Sequence, residues 1–272
     1  MRAFGLSELA EDPDLSIEPP AGSQRVIDDR YCLVIGPRRR WANVSRLRLT
    51  DQPDELDRCI GEIQQQLEGI APVSWSIGSS ATPTDLPDRL RRFGLRAPDP
   101  PLDPVCVAMT LTHEPPAAGG VSVSRITTLE EHHLGLEIML TAARWTERAA
   151  TQARASAEET FRRRSRRGGF HWLVWLGGEP VACGLADRSP AGLFLAGGAT
   201  LPGARGQGCY RALVRARWEE SVALGLGGLA VHAQYATSAP ILRRLGFAQV
   251  AVVHTLQSTV RADQRDVQLI RT

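Results

Sequence analysis

The chain has 272 residues, 43% of them hydrophobic and 23% charged, which is the balance of a folded globular protein rather than a disordered one. All 32 basic residues are arginines, and the formal net charge of +2 is too small to indicate a polyanionic partner. No apolar run reaches the roughly 20 residues that cross a bilayer, and the acidic N-terminus lacks a secretory core, so we expect a cytoplasmic protein without a membrane partner.

The five cysteines are scattered along the chain, and no two of them are spaced as C-x-x-C. Disulfide frameworks occur in small secreted chains with paired cysteines, and structural zinc sites need closely spaced ligands. We therefore expect reduced thiols and no metal.

Proline and glycine divide the chain into four segments. We expect a poorly ordered leader at residues 1–24, a first domain at 25–112, a linker at 113–120 and a second domain at 121–272. The linker has the sequence "HEPPAAGG", a composition that is typical of connections between domains.

The second domain begins with alternating strand and helix patterns. "VSVSRIT" predicts a strand, and Thr128 followed by acidic residues predicts a helix N-terminus. A further helix ends in "FRRRSRRGG", where arginines complement the helix dipole and glycines end the helix. "FHWLVWL", "VACGLAD" and "GLFLAGGAT" predict three strands.

A glycine-rich turn and a long helix follow. The helix "YRALVRARWEESVALGLG" has one broad apolar face, formed by Leu213, Val214, Ala216, Trp218, Val222 and Leu224. A strand "GLAVHA", a short helix "SAPILRRLGF" and a last strand "AQVAVVHTL" complete a mixed α/β pattern.

The first domain contains a shorter copy of this ending. "DRLRRFGL" at residues 88–95 aligns without gaps on "PILRRLGF" at 240–247, and each is followed by a strand. Order and spacing agree, which indicates an internal duplication. The first copy lacks the glycine-rich turn, because "VSRLRLTDQPDELD" occupies its place.

The turn from Pro202 through Gly208 predicts bare backbone N–H groups at a helix N-terminus, a geometry that binds phosphate. It is not a P-loop, which requires a lysine, and it is not a dinucleotide-binding fingerprint, which would need glycine where Arg211 stands. The turn is therefore a different kind of phosphate site.

The order of strand, "RGQG" turn, helix, strand and "LGF" resembles the GNAT superfamily of N-acetyltransferases. The family motif R-x-x-G-x-[GA] matches at Arg205 and Gly208 and departs at Tyr210. The resemblance covers residues 121–258 and, as a degenerate copy, 25–112. It implies an α/β (α+β) protein of two fused GNAT-like domains, each a mixed, largely antiparallel sheet flanked by helices.

The resemblance also implies one acetyl-coenzyme A site, in the second domain. In such folds the pyrophosphate lies on the turn amides, and the pantetheine arm pairs with the preceding strand like an added strand. The implied cofactor-binding residues are Ala199, Thr200, Leu201, Arg205, Gly206, Gln207, Gly208, Cys209 and Tyr210. We expect the Tyr210 side chain to point outward, and Gly197 and Gly198 to form a bulge that separates this strand from the next.

The family often supplies the proton for the leaving thiolate from a tyrosine, and Leu242 stands at that position here. The replacement candidates near the end of the following strand are Tyr235, Ser238 and His232. Alternatively, Tyr235 is a loop aromatic that packs on the next helix. The spacing does not specify a base, for which the candidates are Asp187, Glu147, His132, His133 and His171.

For an acceptor pocket the candidates are Trp145, Glu147 and Asp187, although Trp145 also fits a core position and Glu147 a surface position. The expected function is acetyl-CoA-dependent transfer to a primary amine of a small molecule or peptide. The alternatives are a non-catalytic acyl-CoA sensor or scaffold, indicated by Leu242 and Tyr210, and an RNA-associated acyl or aminoacyl transferase, indicated by the arginines of residues 38–40 and 162–167. The sequence does not specify the acceptor, the acyl length or the oligomeric state.

Overall fold

The computed structural model describes residues 4–99, 103–143, 145–166 and 169–258. The elements of the N-terminal half are α1 (Leu6–Glu11), β1 (Gln24–Ile27), β2 (Cys32–Ile35), β3 (Ala42–Ser45), α2 (Pro53–Gln66), β4 (Val73–Ile77), α3 (Leu86–Arg92) and β5 (Val105–Leu111). Those of the C-terminal half are β6 (Ser122–Arg125), α4 (Leu129–Ala142), α5 (Glu147–Ala155), α6 (Ala157–Arg166), β7 (Phe170–Leu176), β8 (Glu179–Ser189), β9 (Gly192–Thr200), α7 (Cys209–Ala223), β10 (Leu229–Gln234), α8 (Ser238–Arg244) and β11 (Ala248–Gln257).

The described strands form one sheet of 11 strands in the order β1-β2-β3-β4-β11-β5-β10-β9-β8-β7-β6. The pairs β3–β4 and β9–β10 are parallel, and the others are antiparallel. The expected mixed, largely antiparallel sheet flanked by helices is therefore confirmed, with the sheets of the two halves joined into one.

The two halves exchange their last strands. β5, which follows α3, lies between β10 and β11, and β11 in turn lies between β4 and β5. No edge of the sheet therefore separates the halves at residue 112, although residues 113–120 contain no helix or strand, as a linker would. The division into domains at 25–112 and 121–272 stays a prediction from the sequence.

The sequence repeat corresponds to a structural repeat. The bounds of α3 and α8 differ by 152 residues at both ends. Each helix is followed by a glycine with positive φ, Gly94 at 86° and Gly246 at 96°, and then by an exchanged strand. The series α2-β4-α3-β5 and α7-β10-α8-β11 are thus two copies of one arrangement.

The helices of the C-terminal half cover both faces of the sheet. α7 and α8 pack on one face around Leu213, Val214 and Leu242, and α4 packs on the other against Leu173 and Cys183. None of the helices in the described part of the chain is long and apolar enough to span a membrane.

The expectation of a poorly ordered leader is wrong for the described residues 4–24. Leu9 and Ala10 of α1 are fully buried against Ala108 of β5 and Ala230 of β10. These small side chains let the helix lie close to the sheet, and Glu11 is fixed at its end because its carboxylate accepts a hydrogen bond from Ser80 N at 2.7 Å. Burial of the apolar side chains in this acidic segment therefore orders the described part of the leader.

Candidate functional site

The glycine-rich turn connects β9 to α7 as expected. A short 3-10 helix at Pro202–Ala204 leads to Gly206 and Gly208, whose φ values of 79° and 82° lie in the left-handed region that favours glycine. Gly208 is the N-cap of α7, a helix of 15 residues whose positive dipole end faces the turn.

The first backbone N–H groups of α7 have no acceptor within the helix. The first hydrogen bond of α7 runs from Ala212 N to Gly208 O at 2.9 Å, so the N–H groups of residues 209–211 precede the helical ladder. The side chains of Arg205 and Gln207 donate backward to the carbonyls of Thr200 and Gly203, at 3.4 and 3.0 Å. The donor set matches that of an anion site.

A gap opens between β9 and β10 beside the turn. The two strands pair only from Leu193 to Leu195 and from Leu229 to Val231, although both continue beyond these residues. A bulge shifts the register of β8 and β9 between Leu185 and Asp187. The bulge lies between Phe194 and Gly197 on β9, just before the predicted position, because Gly197 and Gly198 are themselves paired in register with Leu185 and Gly184. The strands β9 and β10 separate after Leu195, which leaves one edge of β9 without a neighbouring strand.

The orientation expected for Tyr210 is wrong. Its ring is turned toward the sheet, where a Cβ on Gly198 would lie 3.1 Å from the Tyr210 Cε2 atom. Burial raises the pKa of Tyr210, and the positive charge of the neighbouring Arg217 opposes this shift. The side chain points inward because position 210 shares the buried helix face of Leu213 and Val214, and its amide remains at the helix N-terminus.

Arg217 is a buried residue that the sequence analysis did not single out. Its side chain, 1% exposed, extends from α7 under β8 and β9, and its Nη2 donates to the Gly197 carbonyl at 3.0 Å. Burial lowers the pKa of Arg217, and among the described residues no carboxylate forms an ion pair with it. The run "YRALVRARW" contains three arginines, and nothing in the sequence indicates that Arg217 is the buried one.

The proposed proton donors lie at the end of β10 in three different environments. Tyr235 is 62% exposed, and its hydroxyl makes no hydrogen bond with the described residues. Ser238 is engaged, because its Oγ accepts from Gln234 N at 2.8 Å. His232 lies against Phe194, at 5.3 Å between ring centroids, on the face that α1 covers. Burial lowers the pKa of His232, and its Nε2 has no partner.

The three candidates for an acceptor pocket do not form one constellation. Asp187 accepts from Arg164 Nη2 at 2.9 Å, and the side chain of Glu147 is 91% exposed with its Oε1 4.0 Å from Arg154 Nη1. Trp145 is half-buried just after α4. No hydrogen bond or ion pair of the described residues joins these three side chains, and Glu147 fits the surface interpretation.

Two buried histidines and the buried Arg164 form a cluster next to Asp187. His132 of α4 and His171 of β7 are 5.3 Å apart between ring centroids, with Arg164 of α6 beside them. Burial lowers the pKa of His132 to about 4, and burial with the neighbouring Arg164 lowers the pKa of His171 to about 3. Both rings are therefore neutral at physiological pH.

The described residues contain no group of three or more side chains arranged to hold a metal ion. All five cysteines are free thiols, and four of them are buried. Burial raises the pKa of Cys183, the cysteine beside the bulge, to about 12, so its thiol stays protonated.

Comparisons with known proteins address the fold. No family model matches the sequence, and a search of curated proteins found no match. The structure is similar to a GCN5-related N-acetyltransferase from Kribbella flavida, with 17% identity and a TM-score of 0.65 over 96% of this chain and 99% of that one. It is also similar to a tandem GNAT protein from the clavulanic acid biosynthesis pathway, with 15% identity and a TM-score of 0.62 over 93% and 87%.

A third similar structure is a GCN5-related N-acetyltransferase from Sphaerobacter thermophilus, with 17% identity and a TM-score of 0.55 over 85% of this chain and 82% of that one. At these identities the similarity shows the fold alone. The chain therefore has the GNAT fold in a tandem arrangement, which confirms the resemblance at that level.

Proposed function

We propose that the protein is an acetyl-CoA-dependent N-acetyltransferase whose single acyl-donor site lies in its C-terminal half. The observation that carries this proposal is the combination of two features in one place. The first amides of α7 have no acceptor within the helix, and the edge of β9 beside them has no neighbouring strand. A phosphate with an extended, hydrogen-bonding arm requires both features.

The donor set fits coenzyme A in its chemistry. The amides of residues 206–211 and the charge of Arg205 suit the pyrophosphate. Leu201 N donates to Val181 O at 2.9 Å, so by strand alternation the backbone groups of Gly198 and Thr200 face away from β8. These groups are available to pair with the amides of a pantetheine arm.

In the reaction the amine nitrogen of the acceptor bonds to the thioester carbon and loses a proton, while the carbon–sulfur bond breaks and the sulfur takes up a proton. We assign the second proton to Tyr235, because its exposed hydroxyl stands free at the end of β10. Ser238 is a weaker candidate because its hydroxyl already binds the Gln234 backbone. His232 would need to be uncovered by α1 before it could act.

The substrate class, a primary amine of a small molecule or peptide, stays a proposal. The arginine run at residues 162–167 does not support RNA as a partner. Arg162 pairs with Glu158, and Arg164 is buried beside Asp187. These contacts favour a structural role for the arginine run.

The test combines calorimetric titration with acetyl-CoA and a thiol-release assay over a panel of primary amines. Binding with release of free thiol in the presence of an amine supports the proposal. Binding without turnover on any amine would favour the alternative of an acyl-CoA sensor. Absence of binding by the folded chain would overturn both.

A further inference from the structure

Arg217 places a positive charge where a protein gains little stability from it. Its guanidinium is buried, and none of the described carboxylates neutralises it. Transfer of an unpaired charge from water to a protein interior is costly, and an apolar side chain of similar volume is often equally stable there or more so. Stability alone therefore does not account for an arginine at this position.

The surrounding residues make a built site for the guanidinium. A Cβ on Gly184 of β8 would lie 1.6 Å from Arg217 Nη2, and one on Gly198 of β9 would lie 3.3 Å from it. The Tyr210 ring lies over the same glycine, since a Cβ on Gly198 would lie 3.1 Å from Tyr210 Cε2. The space above these two glycines is thus occupied by this arginine, and they are required for its position.

Arg217 acts on one particular peptide group. Its Nη2 donates to the carbonyl of Gly197 at 3.0 Å. That carbonyl and the N–H of Gly198 belong to the same peptide unit, and in a trans peptide they point in opposite directions. The Gly198 N–H therefore points away from Arg217.

This N–H also faces the gap beside β9. Leu201 donates to β8, so Gly198, three residues before it, has its N–H on the opposite edge of the strand. On that edge the pairing with β10 has already ended at Leu195. The Gly198 N–H is thus a donor at the free edge, held by a cation at the other end of its peptide.

We infer that Arg217 is a positioning residue that orients and polarises the Gly197–Gly198 peptide, so that the Gly198 N–H donates to the thioester oxygen of the bound acyl donor. The inference rests on the proposed function. A charge-assisted hydrogen bond to a carbonyl draws electron density from the amide and makes its N–H a stronger donor. Donors aimed at the oxygen on which negative charge develops make a large contribution to acyl transfer.

The test uses Arg217→Met, which keeps most of the volume and removes the charge. Ser221→Ala is its matched control, because Ser221 is also buried in α7 and donates to a different backbone carbonyl, that of Gly228, at 3.0 Å. The readout is the infrared carbonyl band of acetyl-CoA carrying ¹³C at the thioester carbon, bound in the absence of an amine. Polarisation by a hydrogen bond lowers the wavenumber of this band.

The band of the bound donor should be lower than that of free acetyl-CoA in the wild type and in Ser221→Ala. In Arg217→Met it should move back toward the free value, while the dissociation constant of acetyl-CoA changes less than about twofold and kcat falls roughly tenfold. This loss is smaller than that for complete removal of a donor, because the Gly198 N–H is still present. Arg217→Gln, which keeps an amide donor, should give an intermediate band and is the second test if the methionine variant does not fold.

An unmoved band and unchanged kcat in Arg217→Met and Arg217→Gln, with normal acetyl-CoA binding, would overturn this inference and leave the proposed function standing. A fall in acetyl-CoA affinity with an unmoved band would assign Arg217 a purely structural role and would also overturn it. If the wild-type protein does not bind acetyl-CoA, the proposed function and this inference fail together.

Discussion

The two halves share a topology, yet only one of them opens a gap between its parallel strands. In the N-terminal half, β3 and β4 pair from Ala42 to Val44, and the chain beyond them remains connected. Thr82 N donates to Leu47 O and Leu49 N donates to Thr82 O, both at 3.1 Å. In the C-terminal half, the described residues of β9 beyond Leu195 make no pairing with β10. A gap in this fold therefore depends on a few missing backbone hydrogen bonds rather than on a different topology.

The helices that follow these strands differ in the same direction. α2 starts at Pro53, which has no N–H, and it buries only apolar residues, Leu56, Cys59, Ile60 and Ile63. α7 starts after two left-handed glycines and buries Arg217 and Ser221 with its apolar residues. The first turn of α2 therefore offers fewer backbone donors than that of α7, and the two helices bury different kinds of side chain.

The largest expected effect concerns Gly184, on the sheet side of Arg217. Gly184→Ala should lower the free energy of unfolding by about 2–3 kcal/mol, because the added methyl overlaps the buried guanidinium of Arg217 and forces it to shift. Urea unfolding measures the change.

The matched control lies in the other half. Gly61 of α2 has no atom within 4 Å of an added Cβ, so Gly61→Ala should stabilise the protein by roughly 0.5–1 kcal/mol. Equal effects of the two alanines would contradict the contrast between an apolar helix interface and one built around a buried charge.

The second prediction changes the N-terminus of α7 so that it resembles an ordinary capped helix. Gly208→Asp should weaken acetyl-CoA binding roughly 10²-fold, because a carboxylate beside the turn amides competes for them and repels the pyrophosphate. Gly208→Asn has the same shape without the charge, and both residues tolerate the φ of 82° better than a β-branched residue would. Calorimetry should show a much smaller loss for the asparagine variant. Equal affinities for the two variants would argue against a phosphate at this turn.

The third prediction concerns buried titratable groups whose pKa values are shifted in opposite directions. The neutral His132 and His171 lie in the C-terminal half, whereas Asp12 contacts Arg46 and Arg48 of the N-terminal half. Burial, assisted by Glu11, raises the pKa of Asp12 from 3.8 to about 6. Acidification therefore changes the contributions of the two histidines and of Asp12 to stability with opposite sign.

Below pH 6.5 the unfolded chain binds protons at the histidines that the folded protein does not, so stability falls as the pH falls toward 4. Between pH 3.8 and 6 the folded protein binds the extra proton at Asp12, so this contribution rises as the pH falls. His171→Phe should reduce the stability lost between pH 7 and 4.5 by roughly 2–3 kcal/mol, and Asp12→Asn should increase it by about 2 kcal/mol. Urea unfolding at the two pH values checks the signs, and changes in the same direction would refute the contrast.

The sequence predicted the elements around the turn because their signals are local. Proline and glycine mark the turn, and the 3.6-residue period marks α7. It did not predict which residues α7 buries. Val222 was expected in the apolar face and is 58% exposed, whereas Arg217 is buried. Gly184 and Gly198 make room for the arginine, and they are distant in sequence from it.

The strand exchange could not be predicted from the sequence for a similar reason. β5 and β11 each follow a short helix in the way that an ordinary antiparallel strand would, and their apolar patterns are satisfied in either half. Their pairing is fixed by contacts with strands more than 100 residues away, such as Met109 with Val231. The order of the leader could not be predicted for the same reason, because its apolar residues become buried only on a sheet to which both halves contribute strands.

The last prediction concerns the segments that follow the second parallel strand in each half. After β4, Ser80 Oγ donates to Glu11 Oε1 at 2.6 Å, whereas after β10 the Tyr235 hydroxyl stays free. If Tyr235 protonates the leaving sulfur, Tyr235→Phe should lower kcat roughly 10–10²-fold with little change in acetyl-CoA affinity, a modest loss because a thiol of pKa about 8.5 leaves readily at neutral pH. The loss should shrink as the pH is lowered, because solvent then supplies the proton more easily. Ser238→Ala is the control at the same loop, where the hydroxyl already binds the Gln234 backbone. A loss of kcat in Ser238→Ala without one in Tyr235→Phe would transfer the role to the serine, and unchanged turnover in both would leave the proton to solvent or to the acceptor.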